Sequence, residues 1–170
     1  MPFTLYDASA PIFTAALGNM RTWLDKAIAT KPEAELMTAK LADDMRPFPA
    51  QFQIASDAAK GAIARLADIP APPMPDTEAS FADLKDRIDK TIAFIASVDP
   101  AAIAAGADRP IALKFPNGMG YHFTGAEFVA KFALPNFLFH VTTAYAILRA
   151  EGVPMGKADY LQHLGQPVAM

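Results

Sequence analysis

Apolar residues recur at helical spacing in four separate stretches of the chain. In the first, Phe13, Leu17, Met20, Leu24 and Ala27 fall on one stripe, with Ile28 beside them. This predicts a helix over about Ser9 to Ala29, capped by Ser9, with Pro11 in its first turn and Lys31-Pro32 ending it. The second stripe is Phe48, Phe52, Ala55, Ala59, Ala62 and Leu66, which predicts a helix from about Pro49 to Ala67. Its spacing is that of a helix-bundle seam, and the alanines let a neighbouring helix come close. Residues 31–47 between them read as a connection with at most a short turn of helix. The third stripe is Phe81, Leu84, Ile88, Ile92 and Ile95, on a helix over about Ser80 to Val98. Ser80 and Asp83 have the spacing of a capping box. Asp83, Lys85, Asp86, Arg87, Asp89 and Lys90 form the opposite, charged face, read as solvated.

Between the second and third helices lies DIPAPPMPDTE, Asp68 to Glu78, whose prolines enforce an extended linker. It is short enough to join two antiparallel helices. After the third helix the period changes. Ile111 to Phe115 and Met119 to Phe123 are short apolar runs flanking Pro116-Asn117-Gly118, which predicts a small β-hairpin leaning on the helices. Thr124-Gly125-Ala126-Glu127 is a full capping box for a last helix that reaches Glu151, with Gly152 as its C-terminal cap. Pro135 inside it removes a backbone bond and is expected to bend it, at a local cost of about 3 kcal/mol unless compensated. The tail, Val153 to Met170, reads as irregular with one helical turn near Tyr160 to Leu164. The pattern as a whole is all-α: a four-helix bundle with a small β-hairpin before the last helix, in one domain spanning 1–170.

Composition narrows the chemistry. The chain has 170 residues, 52% of them hydrophobic and 19% charged, with a net charge of −3. That supports one sizeable core and gives no basic stripe for nucleic acid. The absence of Cys removes disulfides, thiolate nucleophiles and Cys-bound zinc, and fits a cytoplasmic protein. The N-terminal MPFTLYDASAPIF lacks the pattern of a signal peptide, and no apolar run is long enough to span a bilayer. There is no Gly-x-Ser-x-Gly and no phosphate loop, and the carboxylates of Asp43-Asp44 read as solvated or capping.

Candidate chemistry therefore gathers on the last helix. In NFLFHVTTAYAILRAEG, Asn136, His140 and Thr143 lie on one polar line of an apolar helix. Gln53 on the second helix is the polar residue expected to meet that line, with Asp57 one turn beyond. One reading is a divalent metal on His140 with weak help from Gln53 or Asn136. The other is a buried hydrogen-bond network of the same groups, favoured because amides bring no charge to offset a cation. His122, on the second hairpin strand, is expected to face solvent, opposite Tyr121 and Phe123. A less favoured reading has the hairpin deliver His122 or Tyr121 to a ligand at the bundle mouth. His163 is expected in solvent, and Trp23, Phe48 and Phe52 in the core.

The last segment, together with PFPAQFQIASDAAKGAIARL and the hairpin, resembles the DinB/YfiT-like helix bundles, and more closely a branch of them known only as a domain of unknown function. The resemblance implies the four-helix-bundle fold, dimers formed through helices, and a divalent-metal site of three His, one on the second helix and two four apart on the last. His140 matches the second of that pair, Asn136 stands at the first, and Gln53 is matched to the ligand on the second helix. Two carboxamides thus replace imidazoles. The expectation is a bundle that binds a small molecule between the second and last helices through Gln53, Asn136 and His140, with a degenerate metal triad. The alternative is a metal-dependent enzyme using His140, with zinc or nickel as the ion and thiol-transfer chemistry as in relatives; the residues favour no metal over either. The alanine-rich faces permit a homodimer.

Overall fold

The computed structural model describes residues 2–170. In chain order its elements are α1 (Ala10–Ile28), α2 (Glu33–Leu36), α3 (Phe48–Ala67), α4 (Phe81–Ser97), α5 (Pro100–Ala104), β1 (Pro110–Lys114), β2 (Gly120–Thr124), α6 (Gly125–Phe128), a π-helical turn (Val129–Ala133), α7 (Leu134–Ala150), α8 (Lys157–Tyr160) and a 3-10 turn (Gln162–Leu164). Helices α1, α3, α4 and the α6–α7 rod form the bundle around one core. The apolar stripes of α1 and α3 named above are fully buried, with Trp23 added on α1. Phe13 of α1 meets Phe137 of α7 edge to face, ring centroids 4.8 Å apart. Helix α3 packs against α1, α4 and α7. Ala55, Ala59 and Ala62, all fully buried, keep it thin enough to do so. Ile28 lies outside the core, 54% exposed at the end of α1.

The expected caps of α4, α6 and α7 follow local chemistry, with one exception among those expected. Ser80 Oγ accepts from Asp83 N, while Asp83 Oδ2 accepts from Ala79 N and Ser80 Oγ. A second acid helps there: Glu33 of α2 accepts from the first free N–H of α4, on Phe81. Thr124 and Glu127 make the reciprocal capping box, and Gly152 closes α7 at φ +85°. The exception is Ser9. It stands at the start of α1, but its hydroxyl donates back to Leu5 O (2.7 Å), satisfying a preceding turn and capping nothing.

The hairpin pairs Ile111 with Phe123 and Leu113 with Tyr121. Gly118, at φ +81°, makes the turn that a β-carbon would strain. Phe123 rests on Phe128, which anchors the hairpin to the last helix. Gly125 has no room for a side chain, because a β-carbon there would meet Gly106 O at 1.9 Å. That contact seals the segment after α5, a helix absent from the sequence reading, against the start of α6.

Pro135 does not break the helix; it is accommodated by a wider turn. The residues just before it adopt π geometry, with Leu134 N bonding to Val129 O five residues back. In an α-helix the proline ring would press on the carbonyl of Lys131. Widening the turn moves that carbonyl aside, so the rod continues into α7.

Candidate functional site

The residues expected to converge do so only in part. His140, half-buried on α7, makes its bond to α3 through a glutamine two residues before the expected one. Its Nδ1 lies 2.8 Å from Oε1 of Gln51, not Gln53. Helix α3 presents its residues to α7 on one side and to α4 on the other, and a shift of two positions exchanges the sides. Gln53 therefore meets α4 and the linker, where its Nε2 donates to Glu78 Oε2 at 2.9 Å. The seam periodicity holds the clue: Gln51 lies three residues after Phe48 and four before Ala55 and is 1% exposed, whereas Gln53 sits off the seam.

The Gln51 bond decides which imidazole nitrogen carries the proton. Gln51 Nε2 donates to Arg46 O (2.9 Å) and, more weakly, Pro47 O. With the amino end committed to carbonyls, the end facing His140 must be the acceptor oxygen. His140 Nδ1 is then the donor, and the lone pair resides on Nε2. Burial lowers the imidazole below its ordinary value. At neutral pH the ring is uncharged, with a basic nitrogen left over.

Asn136, one turn earlier on α7, lines a cleft of about 200 Å³ with Ile54, Asp57, Arg65, Leu113, Phe128 and Phe132. The cleft lies where α3, the π turn and the hairpin meet. The hairpin contributes Leu113 to its wall. His122 is exposed as expected, and Tyr121 on the opposite face is also 57% exposed, so only Phe123 of that face packs inward. His163 is exposed, yet Asn19 Nδ2 donates to its Nδ1 at 2.9 Å, pinning the C-terminal turn to α1. Thr143 is turned onto its own helix, donating to Phe139 O.

The group most misjudged from sequence is Arg87. It sits in the charged run of α4 but is 2% exposed. Its Nη1 donates to Glu78 Oε1 (2.8 Å) and to Pro75 O, its Nη2 donates to Asp57 Oδ1 (2.9 Å), and Asp76 Oδ1 completes an ion pair 3.0 Å from Nη2. The linker's prolines hold its carbonyls and acids in an extended line, and Arg87 ties that line to α3 and α4. Burial alone would raise the Glu78 carboxyl, but hydrogen bonds from Arg87 and Gln53 outweigh it and hold it below the usual range. Asp57 is shared with Lys60, 2.8 Å away. Spacing along one helix could not have exposed this cluster, since its acids come from α3 and from the linker.

The donor set does not fit a resident divalent ion. A single imidazole offers only Nε2, Asn136 offers a neutral amide, and Gln53 is committed elsewhere. Among the described residues no three His, Cys, Asp or Glu side chains lie close enough to hold a metal. No helix among them is long and apolar enough to cross a membrane.

Comparison with known proteins places the chain by descent. No curated protein matches the sequence. A crystal structure of a DinB family member protein from Shewanella denitrificans is similar, at 36% identity and a TM-score of 0.84, covering 97% of this chain and 96% of that one. Residues 5–161 match the family described as Domain of unknown function (DUF1993). With that match spanning nearly all of a bundle in which His140 rests on Gln51, the chain belongs to this family, a DinB-like one.

Proposed function

We propose that this DinB-like bundle binds a compact small molecule in the cleft between α3 and the last helix, and that it does so without a resident metal. The cleft itself carries this reading. Ile54, Phe128, Phe132 and Leu113 give it an apolar body, and Asp57 and Asn136 give it polar groups to orient an occupant. At about 200 Å³ it exceeds the ~150 Å³ that accommodates benzene. It falls below the ~300 Å³ and upward typical of sites for drug-sized ligands. A ring of single-cycle size bearing one or two polar substituents matches it.

Thermal-shift screening of such compounds tests the reading. A hit should raise the melting temperature of the wild type and lose its effect in Ala58→Phe, which fills the cleft from a half-buried position. Hits that act equally on Ala58→Phe would overturn it.

A second reading is an enzyme with His140 as general base. It is favoured by the tautomer that Gln51 imposes, which leaves Nε2 unprotonated and the ring neutral. Elemental analysis of protein purified without a His tag separates this from metal chemistry. Stoichiometric metal lost in His140→Ala would restore a metalloenzyme, against the donor set described above.

A further inference from the structure

We propose a second site, for a small oxyanion, on the side of α3 facing the hairpin, where Arg65 and Arg109 share one cleft. The cleft measures about 380 Å³ and is bounded by Arg65, Asp68 and Ile69 at the end of α3 and by Arg109, Pro110 and Ile111 at the foot of β1. Most cations of the chain are matched by a carboxylate: Arg21 by Asp89, Lys85 by Asp25, Lys131 by Glu127, Arg87 by three acids. Arg65 is not, among the described residues. Its Nη1 donates to Gly61 O at 2.8 Å and its guanidinium lies over the Phe128 ring, 5.9 Å from the centroid. These contacts fix the side chain and leave its remaining donors without an acid.

Arg109 is the complementary half. Its side chain is 29% exposed, and Nη1 lies 3.2 Å from Asp68 Oδ2. The alignment is too poor for a hydrogen bond, so that buried nitrogen has no partner. Asp68 is a weak counter-ion, 84% exposed and free to turn to water. Its place is set by the backbone: it ends α3 at φ +59°. Two guanidiniums against one loosely held carboxylate leave a net positive cleft. A planar or tetrahedral oxyanion is the acceptor that guanidiniums bind best. The walls beside them, Ile69, Pro110 and Ile111, suit an apolar body on a carboxylate and add nothing for inorganic phosphate.

Calorimetric titration at low ionic strength with benzoate and, separately, inorganic phosphate tests the site. Saturable binding of either anion is expected, weakened at least ten-fold in Arg109→Gln. Benzoate binding tighter than phosphate assigns a carboxylate on an apolar body; the reverse order assigns a phosphate group. Asp68→Asn removes the competing charge, while asparagine tolerates the same left-handed backbone, so this variant should bind several-fold tighter. It also guards against misreading an unfolded Arg109 variant. No saturable binding of either anion, or affinities unchanged in both variants, would overturn the proposal. Arg65 borders both clefts, but Arg109 lies outside the Asn136 cleft and Ala58 outside this one, so Arg109→Gln and Ala58→Phe each test one site.

Discussion

Helix α3 carries a polar cluster on each of two sides, and they are opposite in kind. Toward α4, Arg87 is buried among Asp57, Asp76, Glu78 and backbone carbonyls, with both terminal nitrogens fully engaged and only Nε lacking a partner. Toward α7, Gln51 and His140 form a neutral pair whose amide is consumed and whose imidazole keeps a lone pair. The first is a charged clamp whose function ends in holding the linker. The second holds a side chain in one tautomer and leaves it able to do something more. Glutamines two residues apart, Gln51 and Gln53, serve the two sides.

The contrast can be broken at several points, the largest first. Arg87→Ala should lower stability by about 3 kcal/mol, because Glu78, with a side chain 9% exposed, loses its counter-ion inside the fold. Urea unfolding measures it, and a loss under ~1 kcal/mol would reduce the clamp to a surface ion pair. Gln51→Leu should cost about 1–2 kcal/mol, since a buried hydrogen-bonded amide is removed and Arg46 O loses its donor. In the same variant the nitrogen-15 shifts of His140 should move toward a mixture of tautomers; an unchanged spectrum would mean that Gln51 does not set the proton. Gln53→Leu should cost less, about 0.5–1 kcal/mol, because Arg87 still satisfies Glu78.

Acidity sharpens the comparison by separating the two sides on the pH scale. The folded His140 is depressed below its ordinary value, so the unfolded chain binds its proton first. Its contribution to stability is whole above about pH 6.5, the unfolded imidazole's value, and is lost as pH falls through the folded value. Glu78 is also depressed. Its contribution is whole above about pH 4.3 and disappears as pH falls through its lower folded value. Unfolding midpoints at pH 7.5 and 5.5 should therefore differ more for wild type than for His140→Asn. Equal differences would show that the imidazole is not desolvated by the fold.

Much of the architecture was written in periodicity. The stripes of α1 and α3 are buried residue for residue. The boxes at Ser80 and Thr124 and the Asn117-Gly118 hairpin are where local chemistry demands them. What remained hidden was decided by three-dimensional register. Arg87 lies in a run that reads as solvated, and only the folded linker brings acids over it. Gln51 and Gln53 are equally polar in sequence, and the rotation of α3 decides which faces His140. Ser9 has the right residue type for a cap, yet the preceding turn offers its hydroxyl a nearer acceptor, Leu5 O. Helix α5 is too short and too rich in alanine to show a stripe.

The π turn before Pro135 has a consequence for how the last rod tolerates changes in length. A turn closed over five residues holds one more residue than an α-helical path of the same rise needs. Deleting exposed Lys131 would let the segment relax to ordinary winding with the turns on either side still in phase, so Phe137 and Val141 would stay in the core and His140 would still face Gln51. The strain would fall on Pro135, whose ring would then press on the carbonyl four residues before it. The wide turn thus lets the last rod absorb one residue of length while keeping its two ends against the same neighbour.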